Sequence, residues 1–307
     1  MKIFLSNINE SWVVDRFRSD WYKHNSDIST NSIKKADIIW IVSPWLWKNI
    51  KTKYLINKKV VCSIYHIDFN KFTKKDEEEF YKRDKYVDTY HVISKKTNLQ
   101  LLNLTDKKII SIPFWVDQNI FYEISNKNNL REKYGFSNQD YLIGSFQRDT
   151  EGSDLISPKL IKGPDIFLGI ASDLFLVNKN LKVVLTGKRR NFLIDNLKKK
   201  GIPFSYFEMV NSSNLNELYN ILDLYLVTSR LEGGPQAILE CGISKTPILS
   251  TDVGIAPEIL NKKSIFNIDG FKKAKVDVEY AYKKSLKYTI PNGMTSYINM
   301  FKDLYES

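Results

Sequence analysis

Short apolar runs alternate along the chain with amphipathic segments. The apolar runs, rich in Val, Ile and Leu, predict strands at 3–8, 37–42, 59–65, 89–93, 109–112, 141–146, 181–185, 204–207, 224–227 and 247–250. The amphipathic segments predict helices at 13–24, 76–85, 96–104, 165–176, 192–199, 214–222, 235–242, 272–287 and 295–305. Strands that are apolar on both faces and separated by helices are typical of βαβ units around parallel sheets. The pattern predicts an α/β protein.

A change of composition between Val116 and Gly135 divides the chain. The polar segment 125–129 (Ser-Asn-Lys-Asn-Asn) is typical of a connection between domains, and all six tryptophans precede it. A chain of 307 residues is long enough for two domains. We therefore expect an N-terminal domain at 1–122, a second domain at 123–290, and a C-terminal helix at 291–307 that lies back against the first domain.

The composition excludes several classes of protein. Hydrophobic residues at 43% and charged residues at 26% are near globular averages, which argues against disordered and fibrous proteins. The first apolar run is short for a secretory leader, and no run approaches the roughly 20 apolar residues of a membrane span. Cys62 and Cys241 lie far apart, so neither a disulfide framework nor a cysteine-built metal site is expected. These features favour a cytoplasmic protein and leave peripheral contact with the inner membrane face open.

The charge balance does not name a partner. There are 46 basic and 35 acidic residues, a net charge of +11, which favours phosphates, nucleic acid or an anionic membrane surface. The basic residues are dispersed through both halves of the chain, however, and excess lysine is usually a solvated surface.

The most informative segment is 229–240 (Ser-Arg-Leu-Glu-Gly-Gly-Pro-Gln-Ala-Ile-Leu-Glu), which follows a predicted strand and opens a predicted helix. Gly233 and Gly234 permit a close approach of the backbone to a ligand, and Pro235 suits the first turn of a helix. The free N–H groups at a helix start such as Gln236 bind phosphate groups well. We therefore predict an anion site at this turn.

Two carboxylates flank the predicted turn. Glu232 precedes it, and Glu240 lies about five residues, or roughly 7.5 Å, into the helix. A carboxylate accepts paired hydrogen bonds from neighbouring hydroxyls. A glutamate on a helix is by itself unremarkable as a surface residue, but this spacing around an anion site suits the two sugars of a nucleotide sugar.

These residues resemble the donor domain of family 4 glycosyltransferases, in which Glu-x7-Glu encloses Gly-Gly-Pro. The similarity extends to residues 250–259 (Ser-Thr-Asp-Val-Gly-Ile-Ala-Pro-Glu-Ile). Residues 109–117, followed by Phe121, are similar to the family's "IPNGVD…F" segment. Residues 218–224 are similar to its "lY…aDv" segment, and residues 162–163 to its "KG" pair. The resemblance covers roughly residues 59–260. It implies the GT-B fold, with two Rossmann-like domains facing a cleft.

The resemblance also implies roles for individual residues. By position, Arg148 and Lys162 would hold the donor diphosphate and stabilise its growing charge as it leaves. Glu232 would lie close to the donor sugar, and Glu240 would bind the ribose hydroxyls.

Two assignments around the donor stay open. Val210 lies in the segment 209–212, whose counterpart in the family contacts the base through its backbone, so the base is not legible; uridine is the family norm and guanosine a known variant. The loop before Lys162 is longer than the family usually shows, and it contains Lys159 as a second candidate for the diphosphate.

The acceptor side rests on fewer residues. His66 follows a predicted strand, where family members often have a histidine near the sugar and the acceptor. The unperturbed pKa of histidine is the closest of any side chain to neutrality, which suits such a residue to orient a hydroxyl. Asp68 is the alternative carboxylate. Trp45, Trp47 and Trp115 are candidates for a floor on which a sugar stacks, although most tryptophans in such domains belong to the core.

The favoured function is a retaining hexosyltransferase that moves a hexose from a nucleotide diphosphate sugar, with a UDP-sugar favoured, to an acceptor hydroxyl. The acceptor would be a glycan, a lipid-linked molecule or a small molecule. No Asp-x-Asp motif follows a predicted strand, so neither a metal nor another cofactor is expected. Residues 9–12 stand where the family often has a glycine-rich loop. The alternatives are a nucleotide-sugar epimerase of the same fold and, less favoured, a nucleic-acid-directed binding or modifying protein.

Overall fold

The chain forms two units, one of residues Met1–Trp115 with Ile290–Ser307 and the other of Val116–Thr289. This computed structural model describes residues 1–7 and 13–307. Ile8, the end of the predicted first strand, and residues 9–12, the segment that departs from the family, lie outside the described residues.

The first unit is built on a five-stranded parallel sheet in the order β1-β2-β3-β4-β5. Its strands are β1 (Ile3–Leu5), β2 (Ile38–Ile41), β3 (Lys59–Ile64), β4 (Thr89–Val92) and β5 (Lys108–Ser111). Its helices are α1 (Val13–His24), α2 (Thr52–Asn57), α3 (Lys74–Asp84), α4 (Lys95–Leu101) and the C-terminal α12 (Asn292–Glu306). Helix α12 contributes Met294, Tyr297 and Phe301 to the core of this unit.

Trp115 belongs to an aromatic core, so its prediction as part of a sugar-stacking floor is wrong. Its side chain is 1% exposed, and its ring centroid lies 5.2 Å from that of Tyr297 and 5.5 Å from that of Phe17. The aromatic residues of α1 and α12 enclose the indole, which is therefore not available to a ligand. The ring centroid of Trp47 lies 6.1 Å from that of Tyr86.

His91 on β4 is a buried structural residue. Its Nδ1 accepts a hydrogen bond from Ser63 Oγ over 2.8 Å, and its Nε2–H donates to the carbonyl oxygen of Ile112 over 2.8 Å. Burial is the main cause that lowers the pKa of His91 from 6.5 to about 4. The ring is neutral at physiological pH.

The second unit contains a six-stranded parallel sheet in the order β11-β10-β9-β6-β7-β8. Its strands are β6 (Tyr141–Ser145), β7 (Leu181–Thr186), β8 (Phe204–Phe207), β9 (Leu224–Val227), β10 (Ile248–Thr251) and β11 (Ile265–Phe266). Its helices are α5 (Lys127–Lys133), α6 (Pro164–Val177), α7 (Asn191–Lys199), α8 (Ser212–Ile221), α9 (Gln236–Ile243), α10 (Ala256–Ile259) and α11 (Val278–Ser285).

The sequence predicted that the polar segment 125–129 connects two domains. In the structure it belongs to the second unit. The side chain of Asn126 accepts a hydrogen bond from the backbone N–H of Asn129 and so caps α5. Arg131 on α5 is buried and donates to the carbonyl oxygen of Ile221 over 2.9 Å. These contacts hold the helix to the second unit.

The predicted long helix at 272–287 is also shorter in the structure. Only Val278–Ser285 is α-helical, and 3₁₀ segments lie on either side, at Ile268–Lys273 and Leu286–Tyr288. The side chain of Asp277 caps α11 through the N–H of Tyr280, which fixes the start of the helix there.

The order of the strands in the second unit places a topological switch point between β6 and β9. From β6 the chain proceeds to β7 and β8 on one side, and it then returns to β9 on the other side. In open parallel sheets, ligands bind outside the carboxyl ends of the strands at such a point. The loops that follow β6 and β9 are therefore the first place to look for a site.

Candidate functional site

Lys162 is positioned by a turn that rests on the end of β9. It ends a short 3₁₀ segment, Leu160–Lys162, and the next residue, Gly163, has a φ of +62° and precedes α6. A Cβ atom on Gly163 would overlap the carbonyl oxygen of Thr228, whose hydroxyl donates to the Gly163 carbonyl over 2.8 Å. Only glycine permits this close approach.

Lys162 and Glu232 form an ion pair at the switch point. Their side chains are 19% and 12% exposed, so the pair is largely shielded from water. Ser229 Oγ lies 3.2 Å from Glu232 Oε1 and orients the carboxylate. The structure thus brings together two residues that the sequence assigned to different parts of the donor.

Gln147, which follows β6, connects the two loops. Its Nε2 donates to the carbonyl oxygen of Lys162 over 2.8 Å, and its Oε1 lies 3.2 Å from Ser229 Oγ. Neither Gln147 nor Ser229 was predicted from the sequence as a site residue. Their position two residues after β6 and β9 was the available signal, because these strand ends flank the switch point.

Arg230 contacts the turn that carries Lys162 and precedes α6. Its guanidinium forms a bidentate ion pair with Asp165 over 2.8 and 2.6 Å, and it also donates to the carbonyl oxygen of Leu160 over 2.8 Å. The geometry is that of the strong fork-to-fork pair of arginine and carboxylate. Arg230 therefore stabilises the loop that carries Lys162, although the sequence analysis gave it no role.

Arg148 and Lys159 add positive charge beside Lys162. The side chain of Arg148 is exposed, and that of Lys159 is partly buried. Burial, followed by the positive charges of Arg148 and Lys162, lowers the pKa of Lys159 to about 8. Arg148 and Lys162 are therefore both close enough to Lys159 to act on its charge.

A buried ion pair fixes the loop that carries Arg148. Arg190 is 1% exposed, and its Nε donates to Asp149 Oδ2 over 2.9 Å. The same guanidinium donates to the carbonyl oxygens of Ser145 and Thr186, over 2.6 and 2.9 Å, at the ends of β6 and β7. The backbone next to Arg148 is thereby held to the edge of the sheet.

Glu240 lies on α9, which begins at Gln236 directly after Pro235. The Glu240 side chain is 3% exposed, and its Oε2 accepts a hydrogen bond from the hydroxyl of Tyr219 over 2.8 Å. Burial, followed by the negative charge of Glu240, raises the pKa of Tyr219, so the phenol stays protonated and donates. Tyr219 lies in one of the family-like motifs of the sequence, but no role was predicted for it.

The turn of Gly233, Gly234 and Pro235, called the glycine turn below, is closely packed against the loop after β10. Gly254 has a φ of +48°, and a Cβ atom there would overlap the carbonyl oxygen of Gly233. Gly233 is buried and Gly234 is partly buried. Val210, three residues after β8, packs its side chain against the core of the second unit.

The two acceptor candidates belong to the first unit, whereas the donor candidates belong to the second. His66 is partly buried and follows β3 by two residues. Asp68 Oδ1 accepts a hydrogen bond from the backbone N–H of Asn70 over 3.2 Å and so supports the turn after the strand.

Across residues 1–7 and 13–307, no three or more His, Cys, Asp and Glu side chains are grouped so that they could hold a metal ion. Over the same residues, every helix is either too short or too polar to cross a bilayer.

The chain is similar to known proteins in sequence and in fold. Residues 157–286 match the profile of the family described as "Glycosyl transferases group 1". A probable sucrose-phosphate synthase from Thermosipho melanesiensis is 24% identical over 247 residues, or 75% of this chain. The match spans 53% of that protein, so the chain covers about half the length of this relative.

Solved structures share the fold of the whole chain. The structure of Anabaena HepE in complex with UDP and glucose has a TM-score of 0.76 at 12% identity, over 99% of this chain and 100% of that one. Sucrose-phosphate synthase from Thermosynechococcus elongatus has a TM-score of 0.73 at 10% identity, over 95% of this chain and 77% of that one. The predicted GT-B fold, with two Rossmann-like domains, is confirmed. The family match over 157–286 confirms the resemblance to glycosyltransferases.

Proposed function

We propose that this protein transfers a hexose from a nucleotide diphosphate sugar to an acceptor hydroxyl, with retention of configuration and without a metal ion. The observation that carries the proposal is the Lys162–Glu232 ion pair at the switch point, with the buried Glu240 on the helix that follows. HepE, which has the same fold, was solved with UDP and with UDP-glucose, so a UDP-sugar is the first donor to test.

Within this proposal, the second unit binds the donor. Arg148 and Lys162 neutralise the diphosphate, and the N–H groups of the turn Gly233–Gln236 add hydrogen bonds, with Gly234 and Pro235 shaping it. Glu240 binds the ribose hydroxyls, Glu232 faces the donor sugar, and the backbone at Val210 contacts the base. In support, Arg148, Val210 and Glu232 follow β6, β8 and β9, at the carboxyl ends of strands of one parallel sheet.

The proposed reaction takes place on one face of the sugar. The bond between the anomeric carbon and the diphosphate oxygen breaks, and a bond to the acceptor oxygen forms. The acceptor proton passes to the departing diphosphate. Arg148 and Lys162 stabilise the negative charge that grows on this leaving group, which is where fixed cations lower a barrier most effectively.

The first unit is assigned to the acceptor. His66 and Asp68 would orient the hydroxyl of a glycan, a lipid-linked molecule or a small molecule. We also place the protein in the cytoplasm, with contact at the inner membrane face as an option for a lipid-linked acceptor. In support, Cys62 and Cys241 are both free and buried, as suits a reducing compartment.

The proposal is tested by incubating the purified protein with a panel of UDP-, GDP- and ADP-sugars and a mixture of acceptors. Release of the nucleoside diphosphate together with a glycosylated acceptor is the expected result. Calorimetry should show that Glu240→Ala and Lys162→Ala each weaken binding of the released nucleotide. Unchanged binding in both variants would refute the site, and conversion of the sugar to an isomer without any acceptor would identify an epimerase instead.

A further inference from the structure

Lys159 lies beside the proposed diphosphate site, although it falls outside the pattern that the family motifs share. It precedes the 3₁₀ segment that ends at Lys162, and its backbone N–H donates to the carbonyl oxygen of Asp149 over 2.8 Å. Asp149 is held in turn by the buried Arg190. The backbone of Lys159 is therefore anchored to the same rigid edge as that of Arg148.

The charges around Lys159 come from both loops of the site. Arg148 and Lys162 contribute positive charge, and Glu151 and Glu232 contribute negative charge. Burial and the two cations outweigh the two carboxylates, since the net effect on the amine favours its neutral form. Without a bound anion, the positive charges of these side chains repel one another. A bound diphosphate would offset this repulsion.

Lys162 differs from Lys159 in having an ion-pair partner. Its amine is paired with Glu232, which compensates its charge at close range. Among the described residues, no ion pair is formed by Lys159 or by Arg148. Within the described part of the chain, Arg148 and Lys159 therefore have no carboxylate at ion-pair distance, and Glu151 and Glu232 compensate the charge of Lys159 only from further away.

We propose that Lys159 is a third diphosphate-binding residue. Because Glu232 compensates the positive charge of Lys162, Lys159 and Arg148 together supply the positive charge that meets the diphosphate. This inference rests on the proposed function and extends it to a residue outside the motif. It has a consequence for pH, because the amine must be protonated to bind an anion. Donor affinity should fall as the pH rises above about 8, the pKa of Lys159 in the unliganded protein.

The test is calorimetric titration of the full chain with UDP, with GDP and with inorganic pyrophosphate, for the wild type and three variants. Lys159→Gln should weaken binding of UDP or GDP by about tenfold or more at pH 7, as expected for loss of a hydrogen bond to a charged group. Lys162→Gln should also weaken it. Lys198→Gln, which removes an exposed lysine from α7, is the control for net charge and should bind as the wild type does.

A pH series adds a measurement that a purely structural role would not change. Between pH 7 and 9 the wild type should lose affinity more steeply than Lys159→Gln, because only the wild type must protonate this amine on binding. The ligand's own ionisation cancels in the difference between the two proteins. Equal melting temperatures for the two proteins would show that the variant is folded.

The outcomes separate the inference from the proposed function. If Lys159→Gln binds as the wild type does while Lys162→Gln binds more weakly, the role of Lys159 is overturned and the donor site stands. If pyrophosphate binds with dependence on Lys159 but neither UDP nor GDP binds, the anion site stands and UDP- and GDP-sugars are overturned as donors. If the wild type binds none of the three, both are overturned.

Discussion

The hydroxyl of Tyr219 donates a hydrogen bond to Glu240 Oε2 over 2.8 Å inside the second unit. Glu240 is 3% exposed, so its carboxylate depends on partners within the protein for its orientation. If Glu240 binds the ribose hydroxyls, Tyr219 is a positioning residue for the donor nucleotide.

Replacing Tyr219 by Phe tests this relationship. A hydrogen bond of this kind contributes roughly 1.5–3 kcal/mol, so Tyr219→Phe should weaken UDP or GDP binding about tenfold, as measured by calorimetry. The matched control is Tyr134→Phe, which removes the hydrogen bond from Tyr134 to Glu217 (2.6 Å) in the same unit. If both variants lose affinity equally, the effect is one of general stability and the positioning role is wrong.

Replacing Glu232 by Gln should separate binding from turnover. In the unliganded protein Glu232 pairs with Lys162, so it competes with a diphosphate for that amine. Glu232→Gln should bind UDP or GDP about threefold to tenfold more tightly, because the charge of Lys162 is released. Its turnover should fall by about a hundredfold or more, since the carboxylate assigned to the donor sugar is lost. Weaker nucleotide binding in steady-state and calorimetric measurements would contradict the assignment.

Gly163 should not tolerate a side chain. Its φ of +62° and the overlap of a Cβ atom with the Thr228 carbonyl make Gly163→Ala strained and force the start of α6 away from β9. We expect the free energy of unfolding to fall by about 2 kcal/mol or more, with loss of nucleotide binding. In the same helix, Gly169→Ala meets nothing within 4 Å and should instead stabilise by about 0.5–1 kcal/mol. Denaturant titration of both variants makes the comparison, and equal stabilities would show that the close approach is unimportant.

Because of the buried His91, we expect the stability of the first unit to fall in acid. Its pKa is lowered from 6.5 to about 4 in the folded protein, so the unfolded chain binds the extra proton first as the pH falls. The stability that this residue contributes is complete above pH 6.5 and is lost between pH 6.5 and 4, by about 3 kcal/mol in total. His91→Gln should flatten that part of the stability curve, whereas the exposed His24→Gln should leave its slope unchanged. A wild-type curve that is flat from pH 6.5 to 4 would contradict this.

Local pattern was sufficient for most of the fold. The helix at Val13–His24 and the strands Phe204–Phe207 and Leu224–Val227 have the predicted bounds, because their apolar periodicity decides them. Helix α5 was missed because its sequence is polar. Its stability comes from contacts distant in sequence, such as that of Arg131 with Asp223 over 2.6 Å.

The site shows the same division between local and distant information. The glycine turn and the start of α9 at Gln236 could be predicted, because turn and helix-start signals are local. The pairing of Lys162 with Glu232 and of Tyr219 with Glu240 could not, since these partners are 70 and 21 residues apart. No spacing rule predicts which side chains meet across neighbouring loops of a parallel sheet.

The most direct test of the account is a crystal structure of the protein with UDP or GDP. The account predicts the diphosphate within hydrogen-bond distance of Arg148 and Lys162, with the ribose hydroxyls on Glu240. A nucleotide bound elsewhere, with the edge between β6 and β9 empty, would contradict it.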